Sequence, residues 1–133
     1  MRWPSPLVGV VLFVSLPGLA QTAGPFVRVI DGDTYVLLLE GFPTPVRLAN
    51  ADTPETGGRA RCPEERALGE RATAWVRLLV QTRQVAVFPT WKLDKYRRAL
   101  AYVTIDGEDL GELLVRNGLA RRYHGERRRG WCG

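Results

Sequence analysis

The chain is 133 residues long, 45% apolar and 25% charged, with a formal net charge of +5. That length suits one modest domain with one core and excludes two ordinary ones, and the composition is that of a globular protein. Two cysteines and the lone His124 exclude a conventional zinc site.

The first residues read as a targeting segment. Met1 and Arg2 precede an apolar run from Leu7 to Leu16, and Pro17-Gly18-Leu19-Ala20 then places small residues at both positions a signal peptidase reads. The run is short for a bilayer span, so an export signal over residues 1–20 is expected. Cleavage after Ala23 and a retained anchor are the competing readings. The mature form would be a periplasmic or secreted domain over residues 24–133, with no membrane segment and a charge of +4 once Arg2 is removed.

Phe26-Val27-Arg28-Val29-Ile30 opens that domain as a strand by its β-branched and aromatic content. Asp31-Gly32-Asp33 makes a bend or bulge, and Thr34 to Leu39 reads as a second strand. Glu40-Gly41-Phe42-Pro43 turns the chain into a third, Pro45 to Ala49. Short turns between sequential strands predict an antiparallel meander. Gly57 and Gly58 lie in a polar loop before a clear helix. Pro63 suits its first position, Glu64 and Glu65 suit the positive end of its dipole, and Leu68, Ala72, Trp75, Val76 and Leu79 form one apolar stripe. Val85 to Pro89 is a fourth strand and Leu100 to Ile105 a fifth, with Trp91 to Arg98 between them read as a charged loop. Asp109 and Glu112 resemble a capping box for a short helix that carries Leu110, Leu113 and Leu114 inward and stops at Asn117-Gly118. The fold class is therefore α+β, mostly β. Five strands with one helix between the third and fourth and a short helix after the fifth is the element order of an OB-fold barrel.

The stretch from Val46 to Glu55 carries the chemistry. Alternation of apolar and polar residues is cut off by Pro54, so a strand ends there with Arg47 inside it and Asp52 and Glu55 at its mouth. One permanent cation and two carboxylates beside a core are costly unless they share a charged ligand or a metal. A strand end with a surface turn and a salt bridge accounts for the same residues. Asp31 and Asp33 would point the same way if the backbone stays extended through Gly32. Export gives the cysteines a meaning too. In an oxidising compartment Cys62 and Cys132 form the one possible bridge, worth roughly 4 kcal/mol in the chain-entropy model, against the alternative of two thiols. Lysine occurs only at 92 and 95 among 19 basic residues. Arginine suits phosphate, but nucleotide bias in the gene produces the same excess.

The segments VIDGDTYVL, VRLANADTPET, DKYRRALAY and LVRNGLA, in that order and at these separations, resemble the thermonuclease (staphylococcal nuclease) family over roughly residues 26–123. The resemblance implies an OB-fold, calcium-dependent hydrolysis of DNA and RNA with little sequence preference, and 3′-phosphate products. It implies that Asp33, Asp52 and the Thr53 carbonyl hold Ca2+, with Asp31 behind them, and that Arg47 and Arg98 bind the phosphate. Glu55 matches the general base, with an orienting or electrostatic role as the alternative. Lys95 and Tyr96 match nucleotide contacts, and Tyr123 lies near the family's stacking tyrosines. The expected partners are DNA and RNA, with a monomeric chain and no stable protein partner.

Two departures stand out. Arg97 replaces the glycine usual before the second arginine, and the family's long final helix has no counterpart. A basic tail from Arg121 to Cys132 stands in its place, and a Cys62–Cys132 bridge would tie that end to the barrel. The tail either adds phosphate affinity or is a solvated end. The rival classes are a non-catalytic nucleic-acid-binding OB module and an exported domain that docks on a protein.

Overall fold

The computed structural model describes Arg2, Gln21, Thr22 and residues 28–133. The expected export signal, residues 1–20, and the Phe26-Val27 start of the first strand lie outside the described residues, save Arg2. Strands β1 (Gln21–Thr22), β2 (Arg28–Asp31), β3 (Thr34–Leu39), β4 (Phe42–Leu48) and β5 (Ala51–Asp52) are followed by a short 3-10 turn, Gly57–Arg59, and helix α1 (Pro63–Thr82). Then come β6 (Val85–Leu93), β7 (Ala99–Ile105), β8 (Glu108–Asp109), helix α2 (Leu110–Arg116) and β9 (Arg121–Arg122).

The main sheet runs β1-β6-β7-β4-β3-β2, with β8 on β7, while β5 and β9 form a separate pair. β2, β3 and β4 are the antiparallel meander, β6 and β7 a hairpin, and β4 meets β7 in parallel through Val46, Arg47 and Leu48. The five principal strands, with α1 between the third and fourth and α2 after the fifth, have the OB-type order that the sequence predicts.

Period-two burial explains the strands. Ala101, Val103 and Ile105 face inward from β7 and Val85 and Val87 from β6, joining Tyr35, Leu37, Val46 and Leu48. Ala72 and Val76 of α1 and Leu110 and Leu114 of α2 close this core, with Trp75, Leu79 and Leu113 packed at its edge. Asp109 caps α2 by accepting from Glu112 N at 2.8 Å, and Cys62 and Pro63 open α1.

Two strand boundaries and two strand pairs differ from the sequence expectation. β4 begins at Phe42, since Pro43 and Pro45 lie where β7 has not yet joined its edge and no N–H is called for. β6 continues to Leu93 through a register shift after Pro89, so the loop is confined to the turn from Asp94. The pairs β5–β9 and β7–β8 are additional. Among the described residues no helix is long and apolar enough to cross a membrane.

Candidate functional site

After Leu48 the chain leaves β4, and the bend that follows is built around Arg47. Its Nη1 donates to the carbonyls of Leu48 and Ala51, both at 2.7 Å. Its Nη2 lies 3.1 Å from Asp52 Oδ1 and 3.3 Å from Asp33 Oδ2. Arg47 is 6% exposed, so these partners carry nearly all the compensation for its burial.

Asp33 arrives from the bend between β2 and β3. Its Oδ2 accepts from Thr53 N at 2.8 Å and its Oδ1 from the Thr34 hydroxyl at 3.0 Å, while Asp31 Oδ1 accepts from Asp33 N at 3.1 Å. The Tyr35 hydroxyl donates to the Gly32 carbonyl beneath. Gly32 allows this close approach, because a Cβ there would stand 2.8 Å from Thr53 Cγ2 and 3.0 Å from Ala72 Cβ. Bend, strand end and helix are thus pressed together at the two aspartates.

Arg98 comes from the turn between β6 and β7. Asp94 accepts from its backbone N at 2.9 Å and from its Nε at 2.6 Å, and Nη1 reaches Thr34 Oγ1 at 3.2 Å. Thr34 in turn bonds Asp33, so one hydroxyl links the second arginine to the acidic pair. Tyr96 lies exposed beside this arm, its ring 5.3 Å from the Arg98 guanidinium carbon and 5.2 Å from Lys95 Nζ. Arg97 holds φ 64, the left-handed region that glycine adopts without strain. Tyr123 covers the other arginine, its ring 5.5 Å from the Arg47 guanidinium carbon.

Glu55 is positioned by residues that the sequence did not single out for the site. Glu65, expected from sequence only to complement the helix dipole, is buried and accepts from Arg61 N at 2.7 Å and Glu55 N at 3.4 Å. Its place four residues before Gly69, on the face that continues to Ala72 and Val76, is the signal that marks it as inward. Arg128 sets its Nε 2.7 Å from Asp52 Oδ1 and its Nη1 2.8 Å from Glu55 Oε1. Nothing local in the sequence marks it. Thr34 and Asp94, which aim Arg98, are two more that the sequence left among ordinary strand and loop residues. Cys62 and Cys132 are joined, with Cα atoms 6.0 Å apart, at the start of α1.

Of the expected site residues, Arg47, Asp31, Asp33, Asp52 and Thr53 converge directly. Arg98 joins through Thr34, Glu55 through Arg128, and Tyr123 covers Arg47. Lys95 and Tyr96 stand on the rim.

The charges crowd one another. Burial pushes the Asp31 carboxyl up to about 7, and the charge of Asp33 adds to it. Burial opposes ionisation of Asp33 as well, but Arg47 and the hydrogen bonds from Asp31, Thr53 and Thr34 outweigh it and hold the carboxyl below its ordinary value. Asp52 is raised by burial, with Arg128 countering and Asp33 adding. Asp33 and Asp52 both reach Arg47 Nη2, so they front one point, and the Thr53 carbonyl follows Asp52 in the chain. Two crowded carboxylates and a carbonyl form an all-oxygen set that fits a hard divalent cation such as calcium.

The chain is thus an α+β protein of OB-type strand order whose acids and arginines converge at one strand end. A family model described as "Staphylococcal nuclease homologue" matches residues 45–130. "Endonuclease YncB" of Bacillus subtilis (strain 168) is 38% identical over 96 residues, covering 71% of this chain and 44% of that protein. "Protein ParB" of Escherichia coli is 33% identical over 126 residues, covering 86% and 66%. "Micrococcal nuclease" of Shigella flexneri is 32% identical over 128 residues, covering 88% and 68%. The chain thus spans between 44% and 68% of the length of these relatives. It belongs to the staphylococcal nuclease family.

Proposed function

We propose that the chain is an exported, calcium-dependent nuclease that hydrolyses phosphodiester bonds of DNA and RNA with little sequence preference. Water is the nucleophile and the products carry a 3′-phosphate. The observation that carries this reading is the meeting of Arg47 with both Asp33 and Asp52, at 3.3 and 3.1 Å, beside Glu55 and within one hydroxyl of Arg98. The endonuclease and the micrococcal nuclease among its relatives agree with it.

Asp33, Asp52 and the Thr53 carbonyl would hold the calcium ion, which when bound offsets the charge of the phosphate and lets carboxylates stand beside it. Arg47, fixed by two backbone carbonyls, and Arg98, fixed by Asp94, present guanidinium groups to the phosphate oxygens, whose negative charge grows in the transition state. Glu55 takes a proton from the attacking water or orients that water. Tyr123 and Tyr96 offer ring faces to bases on either side, and Lys95 a cation to the backbone. Export is supported by the apolar leader in the sequence and by the Cys62–Cys132 bridge, which persists in oxidising compartments.

The test is incubation of the mature protein with single-stranded DNA and with RNA, in calcium and then with chelator. Shortening of both polymers in calcium is expected, with none in chelator and shortening slowed about 100-fold or more for Arg98→Ala. Cutting that survives chelation rejects the calcium role. Retardation of the polymers in a gel without shortening would favour the binding-module reading instead.

A further inference from the structure

Arg128 is the strongest cation contact in the site that neither the family motifs nor the proposed chemistry uses. Its guanidinium is divided among three acceptors. Nε lies 2.7 Å from Asp52 Oδ1, Nη1 2.8 Å from Glu55 Oε1, and Nη2 3.5 Å from the Thr53 carbonyl. Two of these belong to the oxygen set that fits a divalent cation, and the third is the candidate base. The side chain comes in from solvent, being 42% exposed where the Asp52 side chain is 3% exposed.

The tail that delivers it is held at both ends. On one side β9 pairs Arg121 with Asp52 and Arg122 with Ala51. On the other, Cys132 is bonded to Cys62 at the start of α1. Between them Arg121 Nη1 donates to the Gly130 carbonyl at 2.7 Å, and its guanidinium carbon lies 3.9 Å from the centre of the Trp131 ring. Arg128 therefore sits on a short closed loop whose anchors flank the site, which keeps its effective concentration there high.

We infer that Arg128 is a tethered counter-cation, a guanidinium that occupies the divalent cation's share of Asp52 and the Thr53 carbonyl and must be displaced for the site to load. The inference rests on the calcium reading of the site. Two cations on the same poorly screened oxygens repel, so guanidinium and metal exclude one another. Displacement also frees the Glu55 carboxylate, so one event prepares both the cation site and the base. Because the coupling is reciprocal, a bound cation weakens the hold on Arg128 by the same factor by which Arg128 weakens the cation.

The test is a calorimetric titration of the metal-free, disulfide-intact mature protein with calcium chloride, which needs no turnover. Arg128→Gln is expected to bind calcium about tenfold or more tightly than the wild type, the worth of one charge-assisted hydrogen bond that calcium no longer has to break. Arg127→Gln removes the same charge from the neighbouring residue, which lines the same cleft but pairs with neither Asp52 nor Glu55, and should change affinity far less. Cys132→Ser, its fold checked by circular dichroism, should move affinity in the same direction as Arg128→Gln. Unchanged or weaker binding by Arg128→Gln overturns the inference while leaving the calcium reading intact, as does an equal gain in Arg127→Gln. Wild-type affinity in folded Cys132→Ser overturns the tether. Absence of calcium binding in every variant at millimolar concentration removes the calcium reading and the inference together.

Discussion

Arg47 and Arg98 bring the same charge to one site but are held in opposite ways. Arg47 is buried, with its Nη1 on the Leu48 and Ala51 carbonyls and its Nη2 against both aspartates. Arg47→Ala would strand those groups, so a loss of about 3–5 kcal/mol is expected by urea denaturation in chelator. Arg98 is partly exposed and its partner Asp94 lies near the surface, so Arg98→Ala should cost about 1 kcal/mol or less. In calcium both should lose roughly 100-fold or more in rate, as loss of a transition-state donor does elsewhere. Equal stability losses would contradict the division of labour. Asp31 gives a pH signature at the same scale. Its carboxyl sits at about 7 in the folded protein against an ordinary 3.8, so between those values the folded state holds a proton that the unfolded chain has released. Its contribution to stability is fully present below 3.8 and is lost as pH rises to about 7. Asp31→Asn keeps the acceptor for Asp33 N and cannot ionise, so its stability advantage over wild type in chelator should grow from pH 5 to pH 8. An advantage constant across that range would show that Asp31 does not titrate in this way.

Helix α1 aims the site as well as covering the sheet. A glycine inside a helix ordinarily costs about 1 kcal/mol relative to alanine. At Gly69 that rule should reverse, because a Cβ would press into the Glu55 carbonyl oxygen and lie 2.8 Å from that of Pro54. Gly69→Ala is expected to destabilise by about 1–3 kcal/mol and to lower activity by moving Glu55. A thermal melt that rises instead would show that the backbone yields at that point. The helix also marks where sequence reasoning stops. Its limits are legible from Pro63, Glu64 and the apolar stripe, and the five strands from period-two alternation, since these signals are local. Asp33, Arg47 and Asp52 are legible because they fall within compact motifs. Arg128 is not, because its meeting with Glu55, 73 residues earlier, depends on the disulfide and the β5–β9 pair, which are products of the whole fold. Glu65 is concealed for another reason. An acid in the first turn has an obvious surface role, and only its alignment with Gly69 and Ala72 reveals that it turns inward.

Across the whole molecule, the arginine excess divides into cations spent internally and cations left facing solvent. Arg83, Arg116 and Arg122 are paired with Asp106, Glu108 and Glu112, and Arg128 with Asp52 and Glu55. Lys92, Lys95 and Arg97 on the β6–β7 arm, and Arg127 and Arg129 on the tail, are exposed. A nucleic-acid strand following the arm would neutralise only a few phosphates, so salt dependence should be modest for so basic a chain. In chelator, where no cutting is expected, and with the arm alone along the strand, affinity for single-stranded DNA should fall about tenfold between about 50 and 200 mM salt, since each neutralised phosphate contributes roughly −0.7 to the log–log slope. Replacing Arg127 and Arg129 together with glutamine separates the two roles left open for the tail. If the tail lies along the bound strand, the slope becomes shallower by about 1.4, two phosphates' worth, and affinity falls at low salt. An unchanged slope would make those two residues a solvated end, with the tail's contribution confined to Arg128 and its disulfide anchor.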